Sequence, residues 1–416
     1  MVISEYITKQ GYFKFNKKAL SRSELIFTVA FSLFMLSTLY ETTAWGVWSD
    51  AVQDKVLILT KLMRYGCYFL CIVKLLIDSY YERTRLLLFG IAIGILVIGY
   101  FGSHNTTLVL YSTMFLAVED VASELIIKTA LACQSAIFVF TVGLSQLGII
   151  EDRIWEENIR PRHFAGFSWV TTSAILFLFM AFEYIYLKKG KLSIAEYAAG
   201  IGLSYWLYKL SDARMAFLVA IVVFTFFFLF GKLIERGRLT NAWRGFFIMV
   251  PFILATVAIG FQYIYDPDNA LLAKLNEFLT GRLKWGHAGI DEYGLKLFGN
   301  KIEWVGYDAD WERGMKYNYV DSSYLQIALE YGIIVLAVIL LLYALLIFTS
   351  IKNQKYYLCW LALIILVFCV TEPRLVKLAY NPFLLLAVTE SSKYFLNRFG
   401  QKNRGTDNEE TEIVNS

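Results

Sequence analysis

Long apolar runs, each close to 20 residues, return about a dozen times along this 416-residue chain, and they decide what it can fold into. They lie near 24–42, 55–78, 85–102, 105–119, 126–149, 166–187, 193–210, 214–231, 245–265, 323–349, 356–371 and 380–395. With 57% hydrophobic and only 18% charged residues, a chain of this length has too little polar surface to cover itself in water. Its solvent is lipid. The expected fold class is an all-α polytopic integral membrane protein of about 12 transmembrane helices. The N-terminus opens with Lys9, Lys14, Lys17, Lys18 and Arg22 before the first run, and no small-residue cleavage site follows that run. The expectation is an uncleaved first span.

Lys and Arg in the short connections set the orientation. Starting from a cytoplasmic N-terminus, the inner connections become "YYERTR" (80–85), "LKKGK" (187–191), "GKLIERGRLTNAWR" (231–244), "SIKNQK" (350–355) and the tail "LNRFGQKNRG" (396–405), nearly all basic. The outer counterparts "ETTAWGVWSDAVQD" (41–54) and "FGSHN" (101–105) contain no Lys or Arg. Both termini are therefore expected inside. The last residues, "TDNEETEIVNS", are acidic and expected to be disordered. The domain reading is 1–265 for spans one to nine, 266–321 for a large extracytoplasmic loop between the ninth and tenth spans, 322–396 for spans ten to twelve, and 397–416 for the tail. Leu271, Leu272, Leu275, Phe278 and Leu279 repeat at helical spacing in that loop and predict an amphipathic helix on the membrane or on neighbouring spans. Thr280 is placed to cap a second helix over 281–293.

Several chemistries are excluded or weak. A net charge of +4 without a dense basic run excludes a nucleic-acid face. Cys67, Cys71, Cys133, Cys359 and Cys369 all fall in apolar runs without metal-ligand spacing and read as small apolar filler. "DPD" (266–268) and "DAD" (308–310) match the metal-binding DxD of nucleotide-sugar transferases, a pattern common by chance. His104, His163 and His287 lack ligand spacing, so no metal is expected. There is no Walker A, dinucleotide glycine loop, HExxH or GxSxG. No cofactor is expected, and the energy for any reaction must arrive with the substrate.

Against this background one set of charges breaks the orientation rule. Outer connections "EDRIWEENIRPRHFAGF" (151–167), "SDAR" (211–214) and "TEPRLVKLAYN" (371–381) carry cations, as do Arg282 and Lys284 in the long loop. Lys61 and Arg64 sit near the outer end of the second span at i, i+3 spacing. Ionisable groups at membrane depth are costly and point to function. The alternative for each is snorkelling to the interface or pairing with a nearby Asp or Glu. Five segments placing cations on one face suggest an anionic ligand anchored in lipid. A lipid diphosphate fits, because arginine clamps phosphate at two points.

The arrangement resembles the Wzy-type polysaccharide polymerases, within the O-antigen polymerase and ligase group. "IRPRHFAGF" (159–167) is similar to the family's arginine followed by Gly-Phe at the start of a span. "SDARMAF" (211–217) resembles its "SR" at the outer start of a helix, and "LTGRLKWGHAGIDEYG" (279–294) its "TGR" plus helix. "VDSSYLQIALEYGI" (320–333) is similar to "HNxYL…GI" at re-entry into the membrane, and "TEP…NPFLLL" (371–386) to the closing motif of capsule-type members. Where ligases carry a histidine, this chain has Asp321, which favours polymerase over ligase.

The resemblance implies a glycosyltransferase-C-like architecture in the bacterial cytoplasmic membrane, with its active site on the outer face. The reaction it implies is polymerisation of isoprenoid-diphosphate-linked repeat units, of the undecaprenyl-diphosphate type, into capsular, exo- or O-antigen polysaccharide. A chain-length regulator and a flippase are the partners that go with it, and no nucleic acid is involved. Arg214 and Arg282 are expected to stabilise the departing diphosphate. Asp321, or His287 in second place, is expected to take the acceptor proton. Arg162, Arg64, Lys61, Arg374, Lys284 and Tyr324 are expected to contact substrate. Asp321 has a bland alternative as a helix cap, and His287 as a partner of Asp291. The rival functions are a glycan ligase and a lipid-linked oligosaccharide flippase or other transporter.

Overall fold

The computed structural model describes residues 20–47, 50–77, 99–156, 161–236, 240–306 and 316–392, with a few single positions besides. The third expected span, the connection "YYERTR", "DAD" and the tail fall wholly or largely outside them. In order, the main helices are α1 (Arg22–Tyr40), α2 (Asp50–Ile77), α3 (Thr107–Ala117), α4 (Ser123–Gln146), α5 (Thr172–Leu187), α6 (Ile194–Ser211), α7 (Arg214–Arg236), α8 (Asn241–Tyr263), α9 (Ala270–Phe278), α10 (Arg282–Tyr293), α11 (Ser323–Glu330), α12 (Ile333–Lys352), α13 (Tyr356–Phe368) and α14 (Phe383–Ser392). A two-residue hairpin pairs β1 (Ile154–Trp155) with β2 (Arg162–His163).

Six of the described helices, α1, α2 from Lys55, α4, α7, α8 and α12, are long and apolar enough to cross a membrane, and α3, α5, α13 and α14 are shorter apolar helices. This is a helical membrane protein by composition and length. Local chemistry explains where helices start. Ser21 with Glu24 and Ser193 with Glu196 form capping boxes for α1 and α6, and the Thr240 hydroxyl accepts from the Trp243 amide at the start of α8. On α2, Ile58, Leu62, Tyr65, Phe69, Ile72 and Leu76 form an exposed apolar stripe at helical period, while Cys67 and Cys71 face inward. Such inside-out patterning is what lipid contact requires.

The single run 323–349 is in fact two helices. α11 stops at Glu330 and α12 starts at Ile333, because Gly332 takes φ 95° and a Cβ there would lie 2.3 Å from the Leu297 carbonyl oxygen. The loop chain crosses at that point, so the break is a packing necessity.

The stretch 371–381, read as an outer connection, is instead largely folded into the core. Leu375, Leu378, Ala379, Tyr380 and Asn381 are buried. Irregular backbone there must find internal partners. Asn381 Nδ2 donates to the Leu375 carbonyl at 2.9 Å and to the Tyr343 hydroxyl at 2.8 Å, and that hydroxyl donates to Leu375 O at 3.1 Å. Ser323 adds a clamp, donating to Glu372 O at 2.6 Å and accepting from the Leu375 amide at 3.0 Å.

The connections sort to two ends. At one, Thr43 bridges Phe167, Arg162 Nε donates to Ser211 O at 3.0 Å, Asn105 Nδ2 donates to Glu330 Oε1 at 2.5 Å, and the loop helices α9 and α10 pack beside Asp321 and Glu372. At the other, Lys188 pairs with Glu196 at 2.9 Å, and Glu390 accepts from Lys355 at 2.7 Å and from Ser123 at 2.8 Å.

Candidate functional site

α9 is the helix that the loop's Leu and Phe spacing predicts, and α10 falls where the second helix is expected, over 281–293. α9 leaves Leu271 and Phe278 exposed and turns the intermediate Leu275 inward, toward α8. Thr280 does not cap α10. Gly281, at φ 86°, holds the N-cap position, and Thr280 itself sits at φ 55° with its hydroxyl accepting from Arg282 Nη1 at 2.6 Å. Arg282 Nη1 also donates to the Leu279 carbonyl at 3.2 Å. The sharp turn thus aims Arg282 away from solvent. α10 seats against α8 through Gly286, where a Cβ would collide with the Gln262 side chain.

Arg282 meets Asp321, its Nε 3.4 Å from Oδ2, with about a quarter and a third of the two side chains exposed. Asp321 is not the cap of α11. Ser322 takes that position, without a side-chain cap bond. Arg374 and Glu372 complete the cluster, with Arg374 Nε 3.5 Å from Glu372 Oε1 and the two side chains 12% and 13% exposed. The Arg374 guanidinium lies 4.8 Å from the centre of the Tyr380 ring.

Burial pushes the Asp321 carboxyl above the ordinary carboxylate range, opposed by the charges of Arg282 and Arg374. Glu372 is pushed up in the same sense by burial, with Arg374 opposing and Asp321 reinforcing. Burial works to lower Arg374, but Glu372, Tyr380 and Tyr319 together outweigh it and hold Arg374 firmly charged. Two carboxyls and two guanidiniums therefore share one partly dry pocket.

Although these ion pairs are close, neither guanidinium Nε makes a hydrogen bond. Arg282 Nε, Arg374 Nε and the Ser322 hydroxyl are buried without hydrogen-bond partners among the described residues. Buried polar atoms are rarely left so. Beside Arg282 and Ser322 opens a cavity of about 170 Å³, walled by Val257, Ala258 and Phe261 of α8, Leu275 and Leu279 of the α9 segment, Leu283 of α10, and Val370. Its surface is almost wholly apolar, and Arg282, Ser322 and Thr371 stand at its polar edge.

The other sequence-derived residues lie elsewhere. Arg214 is 73% exposed and pairs with Asp212 at 3.2 Å. Arg162 is spent on the Ser211 carbonyl at the end of α6. Arg64 pairs with Glu41, which also accepts from Thr60 at 2.7 Å, and Lys61 is exposed. Lys284 is exposed, its ammonium 5.6 Å from the Trp285 ring. His287, five residues beyond Arg282, faces another side of α10, with Nδ1 3.0 Å from Gln262 O and Nε2 3.4 Å from Asp291. Tyr324 is fully buried and donates to Leu366 O at 2.8 Å, which is a core role without access to substrate. "DPD" forms a turn in which Asp266 accepts from the Asp268 amide. Of the ten expected residues, the structure groups Arg282, Asp321 and Arg374.

Sequence reasoning missed Glu372, Ser322 and Tyr380. The signal for Glu372 was present, since it stands two residues before Arg374 in the same outer segment. No group of three or more His, Cys, Asp or Glu that could hold a metal ion occurs among the described residues. No family model, curated protein or solved structure matches this chain.

Proposed function

We propose that the Arg282–Arg374 cluster binds the diphosphate of a lipid-linked glycan and that the protein polymerises such glycans on the outer face of a bacterial cytoplasmic membrane. The observation that carries this reading is the meeting of two features: buried Arg and Ser donors lacking acceptors, and an apolar cavity opening directly beside them. An amphiphile with a phosphate head and a hydrocarbon tail satisfies both. The resemblance of "LTGR", "VDSSYL" and "TEP…NPFLLL" to Wzy-type polymerases supplies the glycan.

In this scheme the guanidiniums take the negative charge that grows on the departing lipid diphosphate. Asp321, paired with Arg282 and under the charge of Arg374, accepts the proton of the attacking sugar hydroxyl. The C–O bond to the diphosphate breaks as the new glycosidic bond forms, and the proton leaves through Asp321. Ion-paired arginines still serve, because each guanidinium has five N–H donors and one carboxylate engages few of them.

The test is the size of lipid-linked glycans in cells lacking the protein, complemented with wild type or Arg282→Ala. Single repeat units accumulating on the outer face, rescued by wild type but not by R282A, support polymerisation. Long lipid-linked chains that never reach their final acceptor would make the protein a ligase. Single units trapped on the inner face would make it a flippase and overturn the proposal.

A further inference from the structure

A second polar pair lies inside the bundle and takes no part in the chemistry above. Gln134 on α4 and Glu183 on α5 are both fully buried. Gln134 Nε2 donates to Glu183 Oε1 at 2.8 Å and lies 3.1 and 3.2 Å from the carbonyl oxygens of Ala379 and Tyr380. The amide hydrogens are therefore spoken for. The two remaining oxygens, Glu183 Oε2 and Gln134 Oε1, are buried without a hydrogen-bond partner among the described residues. No Lys, Arg or His of those residues forms an ion pair with Glu183.

Two acceptors left over in one carboxyl–amide pair lack a donor between them. A bare carboxylate in this place would also be a buried charge without a partner, which folded proteins avoid. A single hydrogen removes both faults, turning Glu183 Oε2 into a donor and giving Gln134 Oε1 its bond. We infer that Glu183 holds a proton on Oε2 and forms with Gln134 a closed carboxylic acid–amide pair, a proton-binding site in the bundle core that positions the 379–380 backbone. The other titratable groups beside it are Cys133, next to Gln134 on α4, and Tyr380, whose ring lies over Arg374. The pair thus fixes from behind the segment that carries Arg374 and Tyr380, making Glu183 and Gln134 positioning residues. This inference stands whatever the Arg282 cluster binds.

The experiment is infrared spectroscopy of the full-length protein in detergent, in choline chloride, with Glu183→Gln and Gln134→Met. The wild-type spectrum minus that of E183Q should show the carbonyl stretch of one protonated carboxylic acid, shifted downward in heavy water. Q134M should keep that band but move it to higher frequency, since the acid loses its amide partner. In thermal unfolding, E183Q, which still offers an N–H donor, should keep the wild-type midpoint, while Glu183→Leu should lower it by several degrees. A difference spectrum showing carboxylate bands alone would overturn the inference. So would a midpoint raised by sodium but not choline in wild type and not in E183Q, which would put a metal cation between the two oxygens.

Discussion

Arg374 shows why a charge count misjudges this end of the molecule. Four of the seven expected Lys and Arg residues meet a carboxylate: Arg64 meets Glu41, Arg214 meets Asp212, Arg282 meets Asp321 and Arg374 meets Glu372. Their value differs with burial. Arg214 itself is largely exposed, and Arg214→Ala should change stability by less than about 0.5 kcal/mol, measured by thermal unfolding in detergent. Arg374→Ala strands the buried Glu372 carboxylate and should cost about 3–5 kcal/mol, while Arg374→Leu combined with Glu372→Leu should recover much of that loss. Asp321 gives a sharper test. If it is the base, Asp321→Asn should lower the polymerisation rate by about 10²–10⁴-fold with the protein still folded. Its raised carboxyl sets the direction of the pH profile: the base works when deprotonated, so activity should fall with acidification at a pH above the ordinary carboxylate range. Stability runs the other way. Groups raised on folding favour the protonated fold, so the contribution of Asp321 and Glu372 is full below the unfolded carboxylate pKa and is lost as pH rises through their raised values. Thermal unfolding against pH should show this loss, reduced in D321N.

At the scale of elements, what the sequence displays and what it hides follow from different physics. Lipid burial demands long apolar runs, so α1, α4, α7 and α8 stand out in composition alone. α9 is visible because its apolar residues recur at helical spacing, although Leu271 and Phe278 stay exposed while Leu275 turns inward. The break at Gly332 is not visible, because a glycine in an apolar run is equally compatible with an unbroken helix. Only the Leu297 backbone passing beside it makes the glycine necessary. Likewise "TEPRLVKLAYN" reads as a surface loop because it is polar and charged. It is nevertheless folded inward, since Tyr343, Ser323 and Gln134, scattered over more than 200 positions, join its own Asn381 in supplying its hydrogen bonds. Such long-range satisfaction leaves no local pattern. Two substitutions test the argument. Gly332→Ala places a Cβ against backbone at positive φ and should destabilise by more than about 1 kcal/mol. Asn381→Leu removes two buried hydrogen bonds, those donated to the Leu375 carbonyl and the Tyr343 hydroxyl, and should cost about 1–3 kcal/mol. Thermal unfolding of each variant in detergent checks both.

For the whole molecule, the two ends carry different chemistry, and the proposed reaction requires a definite one of them to face outward. Lys284 is exposed on α10 beside Arg282, and Lys232 is exposed near the far end of α7, in a connection whose basic residues place it inside by the charge rule. The five native cysteines are all buried, so a new surface thiol can be read against a low background. Lys284→Cys should react in intact cells with a membrane-impermeant maleimide, while Lys232→Cys should react only after the membrane is opened. The reverse pattern would put Arg282 and Arg374 on the cytoplasmic side. There the site would meet donors before export, and polymerisation of exported repeat units would be impossible. Equal labelling of both thiols in intact cells would mean that the two ends are not separated by a membrane. Because a bundle with its connections sorted to two ends must present one of them outward, this measurement decides whether the geometry of the Arg282 cluster can serve the proposed chemistry.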